Sequence, residues 1–88
     1  MADYRVIVKP SADKELRRLP PEIQRHVVAV LRELAANPRP SGVVKMQGDY
    51  NLWRVRVGQY RVVYEIHDAR ILILVLRIGH RKDVYRGF

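Results

Sequence analysis

The sequence predicts an α+β fold in which an antiparallel four-stranded sheet carries a two-helix hairpin on one face. Two observations lead to this prediction. In the first half, an amphipathic helical pattern is divided in two by Pro20-Pro21. In the second half, three β-prone runs follow one another with only short turns between them. With one more strand at the start of the chain, the element order is β-α-α-β-β-β in a single domain over residues 1–88.

The first strand is predicted at Tyr4-Arg5-Val6-Ile7-Val8, and Lys9-Pro10 closes it because proline cannot donate to a central ladder. Ser11 is the predicted N-cap of the first helix, and Asp13 favours the positive end of that helix. One face of the helix is apolar and consists of Ala12, Leu16 and Leu19.

The second helix is predicted between Pro21, which suits a first helical turn, and Asn37-Pro38, which stops it. Its apolar stripe consists of Ile23, Val27, Val30, Leu31 and Leu34. Prolines and glycines then mark residues 39–49 as a loop. The two helices are therefore expected to form a hairpin that covers the sheet.

A β-hairpin is predicted where residues 51–57 and 60–66 flank Gly58-Gln59, a pair suited to a two-residue turn. The turn fixes the register, so that Arg56 lies opposite Arg61. Alternation then predicts two unlike faces. The face toward the helices carries Trp53, Val55, Val57, Tyr60, Val62 and Tyr64, and the other face carries Arg54, Arg56 and Arg61.

Two guanidinium groups directly opposite each other repel, at a cost of a few tenths to about 1 kcal/mol relative to a neutral pair. An anion bound between Arg56 and Arg61 reverses the sign of this interaction, since arginine forks match phosphate oxygens. The other interpretation is a solvated sheet face with splayed side chains. After a turn at Asp68-Ala69-Arg70, the apolar run Ile71–Leu76 predicts a central strand, and a polar tail follows.

Charge and composition limit the function. The chain has 88 residues, with 17 Lys and Arg against 9 Asp and Glu, which gives a net charge of +8. This charge favours a polyanionic partner, either nucleic acid or an acidic protein. Cysteine is absent, which excludes disulfides and thiolate chemistry. With no signal-peptide pattern and no apolar run near the roughly 20 residues of a membrane span, we expect a cytoplasmic protein without membrane contact.

Two segments resemble the RelE branch of the RelE/ParE toxin superfamily. They are the hairpin LWRVRVGQYRVVY at residues 52–64 and the tail GHRKDVY at residues 79–85. The predicted element order agrees with that family over nearly the whole chain. The resemblance implies a RelE-like fold and a toxin that enters the ribosomal A site and cuts mRNA. In that reaction the RNA 2′-hydroxyl is the nucleophile, the products are a cyclic phosphate and a 5′-hydroxyl, and neither a metal ion nor another cofactor is needed.

The resemblance also implies the catalytic residues. Arg61, Arg81 and Tyr85 match an arginine, an arginine and a tyrosine of the family, whereas Arg54 and Arg56 replace two lysines of its best-known member. This difference is chemical, because lysine can release a proton and arginine stays charged at any working pH. Tyr85 is therefore the expected general base, since neighbouring positive charge stabilises a phenolate. His80 is the reserve base.

Further contacts to RNA or to the ribosome are expected from Lys45, His80, Lys82 and Arg86. His26 and His67 do not converge with other ligands at metal-binding spacing, so no metal site is predicted. The resemblance and the charge imply an acidic antitoxin as partner, in a toxin–antitoxin hetero-oligomer. Two alternatives remain at this stage: a ParE-like poison of DNA gyrase that cuts nothing, and a nucleic-acid-binding module without catalysis.

Overall fold

The computed structural model describes residues 3–48 and 51–85. Two helices pack on one face of a five-stranded sheet, so the predicted α+β class is confirmed, and the predicted element order holds apart from one additional short strand after the helices. In chain order the elements are β1 (Arg5–Val8), α1 (Pro10–Arg17), α2 (Pro21–Ala36), β2 (Val44–Lys45), β3 (Leu52–Val57), β4 (Tyr60–His67) and β5 (Leu72–His80). A short 3₁₀ turn, Asp68–Arg70, joins β4 to β5. No helix in the described ranges is both long and apolar enough to cross a bilayer.

The sheet differs from the prediction in two respects. Its strand order is β1-β5-β4-β3-β2, and β2 lies within residues 39–49, which were predicted to be a loop. A two-residue strand is too short to produce a periodic pattern. The other difference is that β1 pairs with β5 in parallel, so the sheet is mixed and not antiparallel throughout. Periodicity identifies strands but not their neighbours, which explains the second error.

The start of α1 also differs from the prediction. The helix begins at Pro10, its N-cap is Lys9, and the cap makes no side-chain hydrogen bond. Ser11 therefore lies inside the first turn and is not the N-cap. Proline suits this position because the first helical N–H groups have no acceptor within the helix. The backbone N–H of Asp13 donates to the Lys9 carbonyl at 2.8 Å, which closes the first turn.

The hairpin register is confirmed. Val57 pairs with Tyr60, Arg56 with Arg61, and Trp53 with Tyr64. Gly58 adopts a positive φ of 60°, as a two-residue turn requires. The arginines of the hairpin therefore lie on the face that the helices leave uncovered.

The main core fills the space between the helices and the covered face of the sheet. Tyr64 is fully buried within it, and its hydroxyl donates to the Pro38 carbonyl at 2.9 Å. Trp53 packs at the edge of this core, as expected from the predicted alternation of side chains between the two faces. The buried residues of the cluster are Ala12, Val27, Leu31, Leu34, Val55, Val57, Val62, Tyr64, Ile66, Ile73, Val75 and Ile78.

A second, smaller core lies on the uncovered face and holds the C-terminal tail against the sheet. Its buried members are Leu52, Val63 and Val84, and Val84 is 1% exposed. After β5 the chain turns back, and the backbone N–H of Val84 donates to the His80 carbonyl at 2.9 Å. Val84 therefore determines where Tyr85, the next residue, can lie.

An exposed ion pair joins the loop after α2 to the turn before β5. Arg39 donates to both carboxylate oxygens of Asp68, at 3.3 and 2.8 Å, and the Tyr4 hydroxyl donates to Asp68 Oδ1 at 2.6 Å. The hydrogen bonds from Arg39 and then from Tyr4 lower the pKa of Asp68 from 3.8 to about 2.

Val84→Ala should lower the free energy of unfolding by about 1–3 kcal/mol, because it removes buried methyl groups and leaves a cavity in the second core. Val28→Ala is the matched control, since Val28 is 36% exposed on α2. That control should be neutral or slightly stabilising. Urea unfolding measures both variants, and equal effects would contradict a buried anchor at Val84.

Asp68→Asn should destabilise the protein at neutral pH and lose this effect in acid. The folded-state pKa of Asp68 lies below its ordinary value, so the contact stabilises the fold above that value and is lost as the pH falls toward about 2. Urea midpoints of wild type and variant should therefore converge between about pH 5 and pH 2. A difference that stays constant over this range would show that ionisation of Asp68 is not involved.

Candidate active site

A depression of about 590 Å³ lies on the uncovered face of the sheet, where β2, β3 and β4 meet the C-terminal tail. All five residues that the sequence singled out as catalytic line it. Its lining consists of Gly42, Val44, Arg54, Arg56, Arg61, Arg81, Lys82 and Tyr85. The hairpin and the tail therefore contribute to one site, although more than 15 residues separate them in the chain.

Tyr85 and Arg54 are in direct contact. The Arg54 Nη1 group donates to the Tyr85 hydroxyl oxygen at 3.0 Å, and the guanidinium carbon lies 5.6 Å from the centroid of the ring. Both side chains are partly buried. Because Arg54 can only donate, the hydroxyl oxygen accepts this bond and its own proton is directed elsewhere. The phenol is thus oriented by Arg54 from one side and anchored by Val84 through the backbone.

Arg56 and Arg61 face each other across the ladder between β3 and β4. Arg56 is exposed, whereas Arg61 folds back over the hairpin turn. The Nη1 group of Arg61 donates to the carbonyls of Gly58 and Tyr60 at 3.1 and 3.0 Å. These bonds fix the guanidinium at the rim of the depression and leave its Nε and Nη2 donors for a ligand.

Arg81 and Lys82 close the depression from the tail. The backbone N–H of Arg81 donates to the Gln59 carbonyl at 2.9 Å, which ties the start of the tail to the hairpin turn. Both side chains are exposed. Their charges therefore reach the same space as those of Arg56 and Arg61.

The lining of the depression carries four guanidinium groups and one ammonium group, and none of the described residues that line it is acidic. Cations gathered in this way repel one another unless an anion lies among them. Arginine offers paired donors that match the oxygens of a phosphate. The arrangement is thus suited to bind a phosphodiester beside a phenol.

Two of the other predicted contact residues, His80 and Lys45, do not line this depression. His80 pairs with Tyr60, and their rings meet edge to face at 5.6 Å, away from the depression. Lys45 pairs with Trp53, and its Nζ atom lies 5.8 Å from the centroid of the indole ring. Arg86 lies outside the described residues. Of the three predicted contact residues that the structure describes, Lys82 alone lines the depression.

Sequence reasoning missed Gly42 and Val44 as lining residues. Val44 belongs to β2 and pairs with Arg54, so it forms the wall of the depression beside β3. The sequence signal for this strand is the β-branched pair Val43-Val44 between Gly42 and Gly48, which is too short to stand out from the surrounding loop pattern.

The histidines form no metal centre in the part of the chain that the structure describes. Within residues 3–48 and 51–85, no three His, Asp or Glu side chains are grouped so that they could hold a metal ion together. His67 is paired with Glu65 at 2.8 Å.

Comparisons with known proteins agree on a toxin family. The family model described as the ParE toxin of type II toxin–antitoxin system, parDE, matches residues 6–85. A relative named toxin RelG, from Mycobacterium tuberculosis, is 32% identical over 84 residues, which cover 94% of this chain and 97% of the relative.

Solved structures of similar proteins give the same result. The archaeal RelE–RelB complex from Pyrococcus horikoshii contains a chain with a TM-score of 0.82 and 29% identity, covering 93% of this chain and 99% of that one. The toxin–antitoxin complex RelBE2 from M. tuberculosis gives a TM-score of 0.80 and 28% identity, covering 90% and 99%. The chain described here therefore belongs to the RelE/ParE family of type II toxin–antitoxin toxins.

Proposed function

We propose that this toxin is an endoribonuclease that cleaves mRNA in the ribosomal A site and so inhibits translation. The observation that carries the proposal is the convergence of Arg54, Arg56, Arg61, Arg81 and Tyr85 on one depression. A protein that only binds its target has no need for a phenol held among cations in one anion-binding site. Relatives named RelE and RelG support the same activity.

In the proposed complex, Arg56, Arg61 and Arg81 hold the scissile phosphate. Their donors contact its nonbridging oxygens and offset the charge that builds there in the transition state. The Arg61 guanidinium is already held on the hairpin turn before the substrate binds, and a backbone hydrogen bond to Gln59 brings Arg81 next to the same turn. Preorganised donors avoid the cost of reorientation during the reaction.

The proposed reaction breaks the bond between phosphorus and the 5′-oxygen. In the proposed step Tyr85 acts as the base in its deprotonated form, with its oxygen held by Arg54. The 2′-oxygen attacks phosphorus and the 2′-hydroxyl proton passes to the Tyr85 oxygen. The 5′-oxygen leaves and takes a proton from the Lys82 ammonium, which unlike a guanidinium can release one. The products are a 2′,3′-cyclic phosphate and a 5′-hydroxyl, and the step needs neither a metal ion nor a cofactor.

The ribosome has a defined part in this proposal. The depression is open, and the described residues that line it include no carboxylate or histidine to act as base at neutral pH. A site of this kind depends on the RNA being held with its 2′-oxygen in line for attack, and correct orientation alone contributes several kcal/mol to catalysis. We therefore propose that free RNA is a poor substrate.

An acidic antitoxin is the proposed protein partner. The chain carries a net charge of +8, and the similar structures from P. horikoshii and M. tuberculosis are complexes of a toxin with an antitoxin. An acidic chain lying over the depression would neutralise its cations and exclude RNA. The proposal includes a toxin–antitoxin hetero-oligomer of undefined stoichiometry.

Arg56→Gln should stabilise the free protein by a few tenths to about 1 kcal/mol at low salt, because it removes the repulsion with Arg61. Added sulfate should remove this difference in stability, because sulfate binds between Arg56 and Arg61 in the wild type and so stabilises its folded state. Arg25→Gln, on the exposed surface of α2, should respond to sulfate as the wild type does. A sulfate response that is unchanged in Arg56→Gln would contradict an anion site between the two arginines.

Tyr85→Phe should lower mRNA cleavage on translating ribosomes by about 100- to 10,000-fold, the usual contribution of a general base. Mapping of mRNA 5′ ends measures this loss, and co-sedimentation should show that ribosome binding is kept. Tyr60→Phe is the matched control, because Tyr60 does not line the depression. A Tyr85→Phe variant with wild-type cleavage would exclude the assigned base. Intact mRNA with saturating wild-type toxin would exclude the nuclease.

A second function is favoured by one observation, the match to a family model named for the ParE toxin. Such a toxin would poison DNA gyrase by binding and would cleave nothing. A gyrase supercoiling assay with the wild-type protein distinguishes the two functions. Inhibition of gyrase together with intact mRNA would support this alternative.

A further inference from the structure

A second depression, of about 460 Å³, lies beside the arginine-lined one. The two share Val44, Arg54 and Tyr85, so the Arg54–Tyr85 contact is part of the wall of both. Its remaining lining residues are Lys45, Met46 and Gln47. The volume is within the range of about 300–1,000 Å³ that is usual for pockets that bind small molecules.

The chain holds the far wall of this depression firmly. The backbone N–H of Met46 donates to the Leu52 carbonyl at 2.8 Å, and the Met46 side chain packs against the second core. Gly48 adopts a positive φ of 78°, which turns the chain directly after Gln47. Gln47 is thus presented at the rim of the depression, and its side chain is exposed.

The lining differs in chemistry from that of the first depression. Val44 and Met46 offer apolar surface, Tyr85 and Arg54 offer an aromatic ring and a planar guanidinium, and Gln47 offers an amide. Unpaired RNA bases stack on aromatic rings and on guanidinium planes, and their edges pair with groups that both donate and accept. Within the described residues, the Gln47 amide makes no hydrogen bond and is available for such an edge.

We propose that this second depression binds the base of a nucleotide next to the scissile phosphate, and that Gln47 reads the edge of that base. The inference rests on the proposed nuclease function and adds a specificity-determining residue to it. A phosphate held among Arg56, Arg61 and Arg81 has its neighbouring nucleoside on one side at the shared Arg54–Tyr85 wall. The adjoining base then lies over Val44 and Met46 with its polar edge toward the Gln47 amide.

The proposal separates sequence preference from catalytic rate. Gln47 does not line the first depression, so its removal leaves the phosphate contacts and Tyr85 intact. Loss of one amide that pairs with a base edge should reduce discrimination at that nucleotide position by about tenfold. Gln47→Glu should instead change which base is preferred, because a carboxylate accepts hydrogen bonds but cannot donate them.

The test maps mRNA 5′ ends on translating ribosomes for the wild type, Gln47→Ala and Gln47→Glu. We expect all three to cut mRNA, with the base preference at one position beside the cut weakened by about tenfold in Gln47→Ala and altered in Gln47→Glu. Gln59→Ala is the matched control, because the exposed Gln59 side chain lines neither depression and the substitution keeps the backbone carbonyl that accepts from Arg81. This variant should keep the wild-type base preference.

Two outcomes would overturn the base site while leaving the nuclease intact. One is an unchanged base preference in both Gln47 variants at normal cleavage. The other is an equal loss of cleavage at every site, which would indicate a general contact with RNA or the ribosome. Failure of the proposed function looks different, because the wild-type protein itself would then leave mRNA uncut, and the base site would fall with it.

Discussion

Like charges held directly opposite each other are the constraint on which the rest of this structure depends. Arg56 and Arg61 are paired across the ladder between β3 and β4 on the uncovered sheet surface, a placement that is in general unfavourable for two like charges. The register that opposes them is imposed from the other face, where alternate residues of the same strands are buried against the helices. A shift by one residue would expose that core, so the repulsion is tolerated.

The two faces of the sheet thus have separate tasks. The covered face supplies most of the buried apolar area and fixes the positions of the strands. On the uncovered face, the described residues form a small core around Val84, which brings the tail back over β3. Tyr85 therefore reaches Arg54 because a buried valine precedes it, and Arg81 reaches the hairpin turn through its backbone. The site is assembled where the hairpin of β3 and β4 meets the tail, which is held by the buried Val84 side chain and by the backbone hydrogen bonds of Arg81 and Val84.

Much of this arrangement was predictable from the sequence because local signals determine it. Gly58-Gln59 fixes the turn, and the turn fixes the register of the two strands. Because side chains alternate between the faces of a strand, the register then assigns each arginine to a face. The short strand β2 and the parallel pairing of β1 were missed, since neither leaves a periodic pattern. Of the predicted contact residues, Lys45 lies over the Trp53 ring and lines the second depression, whereas His80 pairs with Tyr60 and lines neither depression. Sequence proximity to a motif does not determine which face a residue occupies.

A crystal structure with an uncleavable RNA, in which 2′-hydrogen replaces the attacking hydroxyl, tests the central claim most directly. The measured quantity is the position of the phosphate at the substituted nucleotide. The account predicts that its oxygens lie within hydrogen-bond distance of Arg56 and Arg61, with the 2′-carbon facing the Tyr85 hydroxyl. A phosphate bound away from these groups, or RNA bound only on the helix side, would contradict it.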